Sequence, residues 1–286
     1  MPKIILGTAN FGTVYGVANK GVKLDEEEAL EIVEAAQNLG INDFDTASSY
    51  GMAESLLGQF LNQLSQPKIS SKISQEDSNS VKKILESVNK TLLRLRVSRL
   101  DNLYLHDPNA LTGRNAHETI SGLKEIMALG LANRVGVSVY SLESLLRAKQ
   151  IFPGLSVFQI PENICDRRLL FSSELLDLQS SGNQLIVRSI FLQGLLLMSP
   201  EEITSRMKTA KKSVSQLRSL ANSYDLLPVD LCLAYGRSIP WADGIILGVA
   251  NASHLRQAID SRETLPIDWE SVIDTLPLEI LDPRLW

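Results

Sequence analysis

The chain has 286 residues, 44% of them hydrophobic and 21% charged, with a formal net charge of −5. That is enough apolar content for a full core in an ordinary globular composition, with neither a disordered nor a fibrous bias. The acidic balance excludes a typical nucleic-acid binder: Lys211-Lys212 is only a short pair on a helical face, not a basic stripe.

Met1-Pro2-Lys3-Ile4 leads directly into a strand-like run, so no signal peptide is expected. No apolar run approaches the roughly 18 residues a membrane span needs. Cys165 and Cys232 stand far apart and neither belongs to a CxxC pair. They read as small buried hydrophobes in a reducing compartment, which points to the cytoplasm. The three histidines form no HxH, HxxxH or HExxH pattern, so no metal site is expected.

Taken in order, the chain alternates short Val- and Ile-rich runs with amphipathic stretches. A strand is expected at 4–8, followed by a helix that opens at Asp25-Glu26-Glu27-Glu28. This helix carries Ala29, Ile32, Val33 and Ala36 on one face and ends at Gly40. The second and third strands are expected at 41–46 and 68–73, and a helix with Ile84, Val88, Leu92 and Leu95 on one face fills 80–95. The fourth strand falls at 100–106, then a helix at 119–129 that stops at Gly130, and a fifth strand at 134–138. The last three strands are placed at 157–161, 184–189 and 244–249. Several are apolar on both faces, as in Ile245-Ile246-Leu247, which is the mark of buried parallel strands. Eight such beats without a dividing linker predict one α/β domain over 1–286, a (β/α)8 TIM barrel of parallel strands. An open doubly wound sheet is the alternative, and no GxGxxG follows the first strand to support it.

Four residues with chemistry sit at or just beyond the C-terminal ends of successive strands 2, 3 and 4. They are Asp45, Tyr50 in the loop that follows, Lys72, and His106. Neighbouring strands lie about 4.8 Å apart, so these groups can share one site at the end of a barrel where catalytic groups collect. A phenol beside an ammonium within about 4–6 Å is expected to have its pKa lowered by about 1–3 units, which suits a proton donor. Asp45 would hold Lys72 charged, and an imidazole N–H on His106 can orient a carbonyl oxygen. Singly, each has a bland reading: a turn cap, a packed aromatic, a surface lysine, a structural histidine. Their coincidence at three adjacent strand ends favours a site.

Asp43-Phe44-Asp45-Thr46-Ala47 and Tyr50-Gly51-Met52-Ala53-Glu54, with Gly58 beyond, together resemble the DTAxxYGxxE signature of the aldo-keto reductases. The resemblance runs through all eight beats and implies a catalytic tetrad at Asp45, Tyr50, Lys72 and His106. It also implies reduction of an aldehyde or ketone, possibly sugar-like, by NADP(H) or NAD(H), with Tyr50 as the acid and the cofactor extended across the barrel mouth. The implied cofactor positions are Gly7, Thr8 and Ala9 under the nicotinamide end, and Asp45. Ser138 and Gln159 correspond to residues that hold the carboxamide. Arg188, Ser189, Phe191 and Gln193 follow strand 7, and Gly248, Asn251, His254 and Gln257 follow strand 8. Three positions depart from the family pattern. Val139 stands where Asn is usual, Arg188 where an aromatic ring stacks, and Ala250 lies in a loop that often carries Lys or Arg for the 2′-phosphate. Phe11 and Tyr15 are expected to wall the substrate pocket together with Tyr50 and His106, with a plain core position the alternative for Phe11. The family's hairpin before strand 1 is expected to be absent, and the tail from Trp269 to Trp286 is expected to close the bottom of the barrel instead.

The partner expected is therefore a small carbonyl compound, with no nucleic acid and no membrane, and the chain a monomer or weak homo-oligomer. Two rival readings remain. One is a regulatory or binding protein that senses the cofactor with little turnover. The other is a Schiff-base lyase using Lys72, which Asp45 opposes, since a nucleophilic lysine needs a depressed pKa.

Overall fold

The computed structural model describes residues 1–13, 16–17, 24–260 and 265–286. The eight strands are β1 (Lys3–Gly7), β2 (Asp43–Asp45), β3 (Lys68–Ile73), β4 (Leu100–Leu105), β5 (Ala132–Ser138), β6 (Val157–Pro161), β7 (Gln184–Arg188) and β8 (Gly244–Gly248). All pair in parallel and in sequence order, and β1 closes on β8 with Lys3 opposite Gly244 and Gly7 opposite Gly248. The barrel expected from eight alternating beats is the one observed.

Helices cover it from outside: α1 (Ala9–Gly12), α2 (Glu26–Asn38), α3 (Ala53–Phe60), α4 (Val81–Leu95), α5 (Ala116–Ala128), α6 (Leu142–Ile151), α7 (Ser173–Ser180), α8 (Ala210–Ser223), α9 (Pro228–Ser238), α10 (Ala252–Asp260) and α11 (Leu278–Leu281). The first long helix starts where its acids say it should. Asp25 accepts from the Glu28 N–H at 2.8 Å while Glu28 accepts from the Asp25 N–H at 2.9 Å, a reciprocal capping box. Gly40 ends it at φ 76°, in the left-handed region that an L side chain avoids.

Strand periodicity sorts the side chains. Leu6, Phe44, Ile69, Leu103, Val135, Phe158, Leu185 and Ile245 point outward into one continuous apolar layer under the helices. The alternate positions point inward. Ile5, Tyr104, Val157 and Ile186 form a small separate core inside the barrel, with Ile246 against it. Gly136 makes room for it, since a Cβ there would meet the Val157 carbonyl oxygen at 1.7 Å. The inward apolar filling is thus confined to the middle, and the next inward positions toward the C-terminal ends are Asp45, Lys72, Ser138 and Gln159. Pleat alternation puts them on the barrel axis; the chemistry above follows from that.

The tail does not close the bottom. The Leu276 N–H donates to the Cys165 carbonyl at 3.0 Å, and Arg167 donates to the Ile273 carbonyl at 2.6 Å. Both anchors follow β6, so the tail lies across the C-terminal ends of the strands. Farther along, the Arg284 guanidinium stacks 3.6 Å from the centre of the Tyr140 ring, which follows β5. An apolar tail satisfies either end of a barrel equally well; polar anchors on the β6 loop decide the matter.

Candidate functional site

A cavity of about 710 Å³ opens at this mouth, lined by Tyr50, Lys72 and His106 among others. At its floor, the Lys72 ammonium meets Asp45 Oδ2 at 2.5 Å and donates to the Thr46 carbonyl at 2.9 Å. Lys72 is 3% exposed and Asp45 4%, so the pair is shut off from bulk water. The other carboxylate oxygen of Asp45 accepts from Gln159 Nε2 at 2.5 Å, and its backbone carbonyl accepts from the Thr8 N–H and hydroxyl. Asp45 therefore ties β1, β3 and β6 to one point.

Above the ammonium lies the phenol. Lys72 Nζ is 5.2 Å from the centre of the Tyr50 ring, and the His106 ring meets Tyr50 edge-on at a centroid distance of 6.1 Å. Ser49 Oγ sits 3.4 Å from His106 Nδ1. The tetrad expected from the strand ends is assembled in one place.

The electrostatics differ from the sequence expectation. Tyr50 is raised above the usual phenol range, not lowered, chiefly because its surroundings desolvate the phenolate and secondly because Asp45 repels it. Arg188 works in the opposite direction. His106 is pushed down to about 4 by burial, then by the charges of Lys72 and Arg188, so the imidazole is neutral at physiological pH. The site thus holds a protonated phenol and a neutral imidazole, both able to donate to an oxygen.

Of the residues singled out by resemblance, Gly7, Thr8, Ala9, Ser138, Gln159, Arg188, Ser189, Phe191, Gln193, Gly248, His254 and Gln257 also line the cavity. Asn251 does not: its side chain accepts from the His254 N–H at 2.8 Å and caps α10. Phe11 is not a pocket wall either. It is fully buried in the layer between barrel and helices, where its ring is core. Tyr15 lies outside the described residues. Sequence reasoning missed Asn10, Tyr140, Arg218 and Pro283, which line the same cavity. Nothing in their local sequence signals it, because the wall is made by loops and a tail that meet only in space.

The site also bears on a nicotinamide group. Gln159 Oε1 and Asn10 Oδ1 are buried in this lining without a hydrogen-bond partner among the described residues, and orphaned acceptors of this kind suit the N–H₂ of a carboxamide or the hydroxyl of a ribose. The residues present fit such a cofactor.

Comparisons with known proteins agree with this architecture. A thermostable aldo-keto reductase, Tm1743, solved with the inhibitor epalrestat, superposes with a TM-score of 0.73 at 23% identity, over 94% of this chain and 92% of that one. Among relatives by sequence, L-galactose dehydrogenase of Arabidopsis thaliana is 25% identical, with 93% of this chain and 86% of that protein aligned. The protein named "Probable voltage-gated potassium channel subunit beta" of Oryza sativa subsp. japonica is 24% identical, covering 90% of this chain and 88% of its own length. The model of the aldo/keto reductase family matches residues 3–274, a span that includes all eight strands. With eight parallel strands closed in order and that match spanning them, this chain belongs to the aldo/keto reductase family, a family of oxidoreductases.

Proposed function

We propose that the mouth of this barrel reduces an aldehyde or ketone to an alcohol, with NADPH or NADH as reductant. The observation that carries this reading is the buried Lys72–Asp45 pair lying beneath the Tyr50 ring, with a neutral His106 beside it. When bound, the nicotinamide supplies the hydride. Tyr50 gives its phenolic proton to the carbonyl oxygen, and the Lys72 charge under the ring stabilises the phenolate that remains. Asp45 keeps that ammonium in place through its 2.5 Å contact. His106 donates a ring N–H to the same oxygen, so the developing negative charge meets two positioned donors in a site shielded from water. Ser138 and Gln159 would hold the carboxamide, while Gly7, Thr8, Ala9, Ser189, Phe191 and Gln193, which line the same cavity, would wall the cofactor. His254 and Gln257 on α10 also line the cavity and would meet the adenosine end.

Fluorescence titration with NADPH and NADH, alongside turnover of simple aldehydes, tests this for the wild-type protein and Tyr50→Phe. Binding by both proteins is expected, with kcat lower in the variant by about 10²–10⁴. Unchanged turnover in Tyr50→Phe would sink the assignment.

A second reading has its own support. Two plant relatives are named as potassium-channel β subunits, at 24% and 25% identity, and Val139, Arg188 and Ala250 depart from the family pattern. Tight cofactor binding without turnover of any carbonyl would favour a cofactor-sensing role over reduction.

A further inference from the structure

The charges at the mouth narrow the substrate class. Lys72, Arg188 and Arg218 line the cavity against a single carboxylate, Asp45. Lys72 is matched by Asp45. Arg218 is spent on structure: it donates to the Met198 carbonyl at 3.0 Å and the Leu197 carbonyl at 2.8 Å, fastening the loop after β7. Arg188 is different.

Its Nη2 donates to the Val139 carbonyl at 2.9 Å and its Nη1 to Ser189 Oγ at 3.1 Å. Among the described residues Nε is buried without a partner, and no carboxylate lies within ion-pair distance of the guanidinium. Three of the five N–H groups of this fork are therefore unclaimed. The guanidinium crosses toward the loop after β5. It reaches past the end of β6 and lies over Tyr140, 4.2 Å from the ring centre. Arg284 stacks on the same ring from the tail, but Asp282 meets it in a bidentate pair, with contacts of 2.9 and 2.5 Å. Arg188 is left as the cation of this wall without a carboxylate in direct contact among the described residues, since Asp282, which feels its charge, is engaged by Arg284. It is also close to the chemistry, because its charge acts on both Tyr50 and His106. A part-buried guanidinium with no carboxylate in contact is costly, and a ligand that brings one relieves that cost.

We propose that Arg188 selects carbonyl substrates bearing an anionic group, a carboxylate or a phosphate, gripping it through the unclaimed N–H groups of Nη1 and Nη2 while Tyr50 and His106 take the carbonyl oxygen. This deepens the reduction reading and rests on it. Planar, charge-assisted contacts of this kind favour the anion over a neutral isostere by about tenfold or more.

The test compares kcat/KM for 4-formylbenzoate against 4-formylbenzamide, and for glyceraldehyde 3-phosphate against glyceraldehyde. It uses the wild-type protein, Arg188→Met and Arg188→Lys. The wild type is expected to prefer the charged member of at least one pair by about tenfold or more. That ratio collapses in Arg188→Met and survives in part in Arg188→Lys, which keeps the charge if the methionine variant folds poorly. The pair that responds tells carboxylate from phosphate. A wild-type ratio near one, or a ratio unchanged in Arg188→Met, overturns the proposal. So does a common fall for all substrates together with weaker NADPH binding, which would give Arg188 to the cofactor's own phosphates. Calorimetric binding of benzoate and benzamide to the NADPH-loaded protein separates the two layers. Absence of any turnover defeats the reduction reading. A benzoate preference lost in Arg188→Met still supports the anion site, and equal binding overturns it.

Discussion

Asp45 and Lys72 meet at 2.5 Å in a barrel that otherwise keeps its inward middle layer apolar, and each is nearly sealed from water. Removing one partner strands the other's charge. Lys72→Met is expected to lower the free energy of unfolding by about 3–5 kcal/mol, because Asp45 is left buried and unpaired. The double variant Asp45→Asn with Lys72→Met recovers much of that loss while remaining inactive. Urea unfolding of the three proteins checks it; a double variant no more stable than Lys72→Met would contradict the pairing argument.

The signature residues Glu54 and Gly58 serve the scaffold. Glu54 accepts from Ser71 Oγ at 2.6 Å, Thr91 Oγ1 at 3.0 Å and Arg94 Nε at 2.7 Å, which binds α3 to β3 and α4. A Cβ on Gly58 would lie 2.1 Å from the Arg94 carbonyl oxygen, so the two helices approach through the glycine. Glu54→Ala is expected to cost about 3–5 kcal/mol by leaving the Arg94 guanidinium and two hydroxyls without their acceptor. Gly58→Ala is expected to cost about 1–3 kcal/mol by overpacking. Denaturant midpoints should fall in both, with kcat of the folded fraction near the wild-type value.

The two titrating donors give opposite pH signatures. Tyr50 acts in its protonated form and is held above the usual phenol range, so kcat/KM should show no alkaline fall between pH 7 and about 10. His106 takes a proton near pH 4 in the native protein, whereas an unfolded histidine does so near pH 6.5. Between those values the unfolded chain holds more protons. Its contribution to stability is therefore complete above pH 6.5 and is lost as pH falls toward 4, at no more than about 1.4 kcal/mol per pH unit. Urea unfolding across that window should show a shallower pH slope in His106→Gln than in the wild type.

Much of this was legible before the structure. Strand ends at Asp45, Lys72 and His106 could be placed because inward and outward residues alternate, and neighbouring parallel strands bring their ends together. The apolar pattern extends the second strand over 41–46, but only Asp43–Asp45 pair; Ile41 is apolar enough to continue the pattern while lying in the approach to the barrel. Phe11 was misplaced because an aromatic after a first strand suits a pocket wall or a core equally. The raised state of Tyr50 was hidden because desolvation is set by residues distant in sequence. Tyr140, Arg284 and the unclaimed fork of Arg188 were invisible for the same reason: only the folded tail brings them together.

Cofactor preference follows from the loop after β8. Among the described residues there, His254 and Gln257 line the cavity and no Lys or Arg does. A fixed cation is the usual means of holding a 2′-phosphate, so NADPH and NADH are expected to bind within about tenfold of one another, less than one strong charge-assisted contact provides. Paired equilibrium titrations decide this, and a much larger preference for NADPH would mean that another cation reaches the adenosine end.

The most direct test of carbonyl reduction at Tyr50 is transfer of a label. The protein is incubated with nicotinamide cofactor deuterated at C4 and a simple aldehyde, and the alcohol is examined by NMR. One deuterium on the former carbonyl carbon, with the label missing when Tyr50→Phe replaces the wild type, is the predicted result. Cofactor bound with no labelled alcohol from any aldehyde tested would contradict the account and leave a binding protein on a reductase barrel.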